Sequence, residues 1–208
     1  MSLFIDALSA RLSSDYFAVR DLLVRKSLDV DVLVVGPSGL WVFEVKHWSG
    51  RIVCRNGGWH RERTYYEAGG FEATDVKEIS AFDRQWQREV EAITTTLKRR
   101  LKPKSPVVDA ATAQGGLVFS HPDVDWEIDA SCRAGYGTPR FWVDTLAREP
   151  LLAAFNQHEQ LRVLDALFSW SRKLEGADHS GCAERMANEL HDKADAAARD
   201  YVRRLDAT

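Results

Sequence analysis

Asp31, Glu44 and Lys46 are the residues of this chain whose types and spacing could do chemistry. They belong to the run Asp-Val-Asp-Val-Leu-Val-Val-Gly-Pro-Ser-Gly-Leu-Trp-Val-Phe-Glu-Val-Lys, residues 29–46. Two apolar stretches flank a Gly36-Pro37-Ser38-Gly39 turn, which is the pattern of a β-hairpin. With Pro37 and Ser38 at the centre of the turn, Val35 faces Leu40, Leu33 faces Val42 and Asp31 faces Glu44. Directly opposed residues hold their Cβ atoms roughly 4.5–5.5 Å apart. Two like charges about 5 Å apart at an effective dielectric near 20 repel by roughly 3 kcal/mol, before desolvation is counted. Folding alone would not select that pair. A divalent cation between the carboxylates turns repulsion into coordination, and hard ions such as Mg²⁺ or Mn²⁺ take oxygen ligands of this kind. Glu44 and Lys46 are two residues apart on one strand and project from one face. The ammonium group then stands beside the ion, where it can orient or deprotonate a water or hold a phosphate under attack.

Blander readings exist for each residue taken alone. Asp31 could be a polar residue at a strand start, and Lys46 could pair with Glu44 or Asp29 as an ordinary ion pair. Glu44 is harder to explain this way, because Leu40-Trp41-Val42-Phe43 before it is apolar on both faces and reads as a central strand.

Taken together with the residues that follow, the pattern becomes specific. Asp31, Glu44-Val45-Lys46, His47-Trp48-Ser49-Gly50-Arg51-Ile52 and a later Trp59 closely resemble, in order and spacing, the nuclease-related domain (NERD), a branch of the PD-(D/E)xK restriction-endonuclease-like superfamily. The resemblance covers roughly residues 28–120. It implies an α/β fold: a restriction-endonuclease-like core with a mixed central sheet flanked by helices, followed by additional C-terminal helices. It also implies Mg²⁺-dependent or Mn²⁺-dependent hydrolysis of phosphodiester bonds, in DNA rather than RNA. Asp31, Glu44 and the backbone carbonyl of Val45 would hold the ion, and Lys46 would position the nucleophile and offset charge in the transition state. The family glutamine, within an Asn-Pro-x-x-Gln pattern, maps to Gln85 in Ser80-Ala81-Phe82-Asp83-Arg84-Gln85, with Phe82 where proline is usual. Relatives commonly carry a Gly-Glu pair on the first helix whose acid joins the site, and this chain has none, so either Asp6 or Asp15 substitutes or that acid is missing. Val32 stands where many relatives have a histidine. These departures keep a second class of function open: a non-catalytic module that retains the nuclease fold and binds nucleic acid or recruits a partner.

Composition bounds the rest. At 208 residues and 45% hydrophobic content the chain can build a substantial core. We divide it into a nuclease-like domain over residues 1–175 and a C-terminal amphipathic helix over 176–208 that packs on the same domain. The formal charge of −3 argues against nucleic-acid binding by the whole surface, since such binding is dominated by phosphate neutralisation. A local basic face must supply it. Arg51, Arg55, Arg61 and Arg63 surround an Asn56-Gly57-Gly58 turn; a three-residue turn would place them on one face with Val53 and Trp59, a phosphate-tracking surface with an aromatic platform. Lys98-Arg99-Arg100 with Lys102 and Lys104 form a second basic group. Cys54, Cys132 and Cys182 make no Cys-x-x-Cys pair, and His179 and Cys182 lack a second ligand pair, so neither a zinc site nor a disulfide framework is expected, as in a reducing cytoplasm. No apolar run approaches the roughly 20 residues of a membrane span, and the start reads as an amphipathic segment rather than a signal peptide.

The elements that must position these residues follow from periodicity. We expect an N-terminal helix over residues 3–26, broken near Ser13-Ser14-Asp15, then strands over 29–35, 40–47, 51–55 and 59–66, and a loop over 67–78. A helix over 80–101 starts at a capping-box-like Ser80 and Asp83 and carries Phe82, Trp86, Val90, Ile93, Leu97 and Leu101 at helical spacing. Gln85 and Glu89 fall beside that stripe, so the start of the helix can lean over the acids. Residues 103–106 stop it, and residues 116–120 read as a core strand returning parallel to the first hairpin. Trp142-Val143 reads as a short strand, residues 150–174 as an apolar helix, and residues 180–205 as a helix that docks on the body, on a partner or on a second copy.

Overall fold

The computed structural model describes residues 2–101, 113–152 and 155–175. The chain runs α1 (Ser2–Arg11), β1 (Phe17–Arg25), β2 (Leu28–Gly36), β3 (Gly39–Lys46), β4 (Gly50–Arg55), β5 (Gly58–Tyr66), β6 (Glu72–Glu78) and α2 (Phe82–Arg100). After these come β7 (Gln114–Phe119), β8 (Val124–Ile128), β9 (Gly135–Gly137), α3 (Pro139–Arg148) and α4 (Gln157–Glu175). One sheet has the order β1-β2-β3-β7-β9 and a second the order β6-β5-β4-β8. Both are mixed. In the first, β1, β2 and β3 are antiparallel, while β7 runs parallel to β3 and to β9.

The expected hairpin register holds: Val35 pairs with Leu40, Leu33 with Val42 and Val32 with Phe43. Gly39, at φ 115, supplies the left-handed exit of the turn that a residue with a Cβ rarely adopts. The first sheet is covered on both faces, so β2 and β3 read as near-continuous apolar runs. On one face Leu33, Val35, Leu40 and Val42 pack with Ile93 and Leu97 of α2 and Val163, Leu164 and Leu167 of α4. On the other, Val32, Val34, Trp41 and Phe43 pack with Phe4 and Leu8 of α1 and Trp142, Val143 and Leu146 of α3. Ile52, Cys54 and Trp59 of the second sheet share a third cluster with Phe82, Leu117 and Phe119. The parallel return of β7 beside β3 requires a close backbone approach. Gly115 sits at φ 112, where a Cβ would lie 2.1 Å from the Val42 carbonyl oxygen.

The structure corrects several local expectations. The N-terminal helix ends at Arg11, and residues 17–25 form β1, whose buried Phe17, Val19, Leu22 and Val24 face the α2 side. A kink at Asp21, with φ 52, interrupts their alternation and disguises the strand period. The loop expected over 67–78 contains β6, an edge strand exposed along nearly its whole length. Ser80 and Asp83 form no capping box: Ala81 is the N-cap, without a side-chain bond. Trp142 and Val143 lie in α3, capped by the Thr138 hydroxyl accepting from Phe141 N at 3.2 Å. The helix expected from residue 150 begins at Gln157. Cys54 and Cys132 are free thiols, and among the described residues no helix is long and apolar enough to cross a membrane. Lys102, Lys104, residues 103–106, His179, Cys182 and the 176–208 helix lie outside the described residues.

Candidate active site

Glu44 sits near the C-terminal end of β3, the middle strand of the five, and is fully buried. Lys46, one pleat further along the strand, forms an ion pair with Glu44 Oε1. Gln85 Nε2 donates to Glu44 Oε2 at 2.8 Å. The side chain is therefore held from two directions, by its own strand and by the first turns of α2.

Asp31 reaches the same place by a local opening of the sheet. The β2–β3 ladder ends at Val32–Phe43, and the β1–β2 ladder skips Asp21 and Asp31. The expected Asp31–Glu44 cross-strand bridge is therefore absent from the backbone pairing. Instead the Asp31 carboxylate turns into the opening and accepts the Val45 N–H at 2.7 Å. Burial, and after it the charge of Glu44, push its pKa up to about 6, against the opposing pull of the Val45 N–H and Lys46. A like charge nearby in a partly dry space disfavours the ionised form of Asp31.

Helix α2 is fastened over these residues at three points. Trp86 Nε1 donates to the Val42 carbonyl at 2.8 Å, and buried Asp83 accepts from Trp59 Nε1 at 3.0 Å and from Arg133 N at 3.3 Å. Phe82, the residue at the usual proline position, fills the gap between Trp48 and Trp59, with ring centroids at 5.3 and 5.1 Å. Its ring also lies 5.1 Å from Lys46 Nζ, close enough for a cation–π attraction that holds the ammonium group at the site.

Glu89, one turn beyond Gln85 on α2, is the member of this cluster that sequence reasoning placed only beside the stripe. It is fully buried, and neither carboxylate oxygen has a hydrogen-bond partner. Burial first, then the adjacent Glu44, hold its proton far more tightly than an ordinary carboxyl does. Its spacing four residues after Gln85 puts it on the same side of α2 as Gln85, but spacing alone did not signal its burial.

The other expected residues lie elsewhere. Asp6 is on α1, which packs against the sheet face away from α2. Asp15 is exposed in the turn before β1, whose first residue Phe17 pairs with Val35 at the turn end of the hairpin. Neither joins Asp31 and Glu44. The second hairpin has a two-residue turn at Asn56-Gly57, both at positive φ, so Arg51 pairs with Glu62 and Ile52 with Arg61. This register puts Arg51 and Arg55 on one face and Arg61 and Arg63 on the other, and the single four-arginine surface is not formed. Arg51 and Arg55 are both engaged by Glu127. Arg61 donates to the Ser49 carbonyl at 2.9 Å and lies 5.0 Å over the Trp48 ring, on the aromatic wall that leads to Lys46.

An all-oxygen donor set suits a hard divalent ion, and the unpartnered carboxylate of Glu89 beside Glu44 fits the same demand. Among the described residues, no three His, Cys, Asp or Glu side chains are already arranged as a metal-holding group; Lys46 and Gln85 occupy Glu44.

A central strand that ends in an acid and a lysine, in a mixed sheet sandwiched by helices, defines a restriction-endonuclease-like α/β core. The family model described as nuclease-related domain (NERD) matches residues 2–111, more than half of the chain, and the protein belongs to that family. The match extends upstream of residue 28 to take in α1 and β1. No curated protein and no solved structure matches the chain.

Proposed function

We propose that the protein is a metal-dependent nuclease that hydrolyses phosphodiester bonds, with DNA as the preferred substrate. The observation that carries this reading is the full burial of Glu44 beside Asp31, bracketed by Lys46 and Gln85. Burying two acids together costs stability, and an apolar strand end would fold better, so the cluster serves something other than folding. Asp31, Glu44 and the carbonyl of Val45 would hold Mg²⁺ or Mn²⁺. The ion would supply Lewis acidity toward the phosphate and make a water more acidic at neutral pH.

The chain's own residues do the positioning. Glu44 orients through its two hydrogen-bonding partners, and Asp31 is locked by the Val45 N–H. Lys46, free to leave Glu44 when a cation neutralises that acid, offers a positive donor to the attacking water or to the charge building on the phosphoryl oxygens. Gln85 steadies Glu44 or the water. Arg61 and Trp48 extend a cationic, aromatic surface from Lys46 outward, suited to a phosphate and a base.

The test is cleavage of single- and double-stranded DNA and RNA with Mg²⁺ or Mn²⁺ by the parent, Glu44→Ala and Lys46→Ala. The reading expects a metal-dependent activity that falls by at least about a hundredfold in each variant. Equal cleavage in all three proteins removes it. Binding without cleavage in the parent would instead favour the non-catalytic module, a reading supported by Glu44 being fully engaged within the protein.

A further inference from the structure

The buried carboxyl of Glu89 has no assigned role. Its neighbours on the inner side of α2, Ile93 and Leu97, are apolar and pack into the main core. A leucine at position 89 would bury without stripping water from a charged or polar group. Instead the chain places there an acid with both oxygens unpartnered, against Glu44. Two ionised carboxylates cannot hydrogen-bond to each other, so a proton or a cation must lie between them. The acids that could have completed the site from the N-terminal region do not reach it, since Asp6 is on the opposite face of the sheet and Asp15 is at its far end.

We propose that Glu89 is the third carboxylate of the divalent-cation centre, delivered from α2 in place of an acid on the first helix. The inference rests on the metal-dependent reading above. It makes α2 a two-residue arm, Gln85 holding Glu44 and Glu89, one turn on, completing the oxygen donors. The fastening of α2 by Trp86 and Asp83 holds both residues of that arm over the sheet.

Calorimetric titration of Mn²⁺ into the full-length parent, Glu89→Gln and Glu89→Leu tests this, with melting temperatures of the metal-free proteins measured alongside. Glu89→Gln keeps the shape and offers an N–H donor to Glu44 but no anionic oxygen. The expected result is Mn²⁺ affinity weaker by at least about tenfold in both variants, with metal-free melting temperatures at or above the parent's. Affinity within about twofold of the parent in Glu89→Gln overturns the inference alone. If the parent itself binds no Mn²⁺, this inference falls together with the metal-dependent reading.

Discussion

Asp31→Asn should stabilise the metal-free protein while weakening its response to metal. Asp31 is raised from 3.8 to about 6 by burial and by Glu44. At 1.36 kcal/mol per unit, that shift corresponds to about 3 kcal/mol of destabilisation once the group is ionised. Asp31 retains partial exposure, so solvent screening reduces this to about 1–2 kcal/mol. Asparagine keeps an oxygen for the Val45 N–H and carries no charge. Below about pH 4 the carboxyl is largely protonated in native and unfolded chains alike, and the substitution changes little. Between about pH 4 and 6 the native state holds a proton that the unfolded chain releases, so the parent loses stability as pH rises. Above about pH 6 the penalty is complete, and thermal unfolding in a chelator should show the variant melting about 3–6 °C higher for a chain of this size. Saturating Mn²⁺ should reverse the order, because a ligand at 100 times its Kd adds about 2.7 kcal/mol to a native state that binds it. A variant no more stable than the parent at neutral pH, or a gain that persists undiminished near pH 4, would refute the reasoning.

Other substitutions probe what positions the site. Trp86→Phe removes the donor to the Val42 carbonyl and should cost about 1–2 kcal/mol in urea unfolding, with a lower kcat as α2 loosens over Glu44. Gly115→Ala forces a Cβ against that same carbonyl at a positive φ and should destabilise by about 3 kcal/mol or more, seen as a lowered midpoint or loss of soluble protein. Arg51→Ala and Arg55→Ala should leave oligonucleotide affinity nearly unchanged, because Glu127 engages both and Glu62 and Asp125 also offset Arg51. Arg61→Ala should weaken binding and lower the salt-dependence slope by about one, as fluorescence anisotropy across salt concentrations would show.

Much of the site was legible because the turn Gly36-Pro37-Ser38-Gly39 fixes one register, and a register places every side chain of a hairpin. Glu44 and Lys46 pair on their strand as expected, whereas Asp31 falls outside the paired register and reaches the strand by a side-chain bond to the Val45 N–H. The helix carrying Gln85 was legible from its apolar period. Other elements were hidden for physical reasons. In β1, Phe17-Ala18-Val19-Arg20-Asp21-Leu22 changes phase at a kink, so its apolar residues fit helical spacing as well as strand spacing. β6 is exposed and polar, and only its pairing with β5 makes it a strand. The Asn56-Gly57-Gly58 stretch admits a two- or a three-residue turn, and a shift of one residue sends Arg61 and Arg63 to the opposite face. The signal for α3, Thr138 as cap with Pro139 at the first helical position, was present and outweighed by the apolar Trp142-Val143 pair. Burial of Glu89 is a tertiary outcome that helical spacing alone could not distinguish from a surface position.

Anomalous diffraction from crystals grown with Mn²⁺ tests the central claim most directly. The account predicts one peak in contact with Asp31 and Glu44, with Lys46 displaced from Glu44 and turned toward the solvent side of the ion. Density that leaves the Lys46–Glu44 pair intact, with manganese elsewhere on the protein or nowhere, would contradict it.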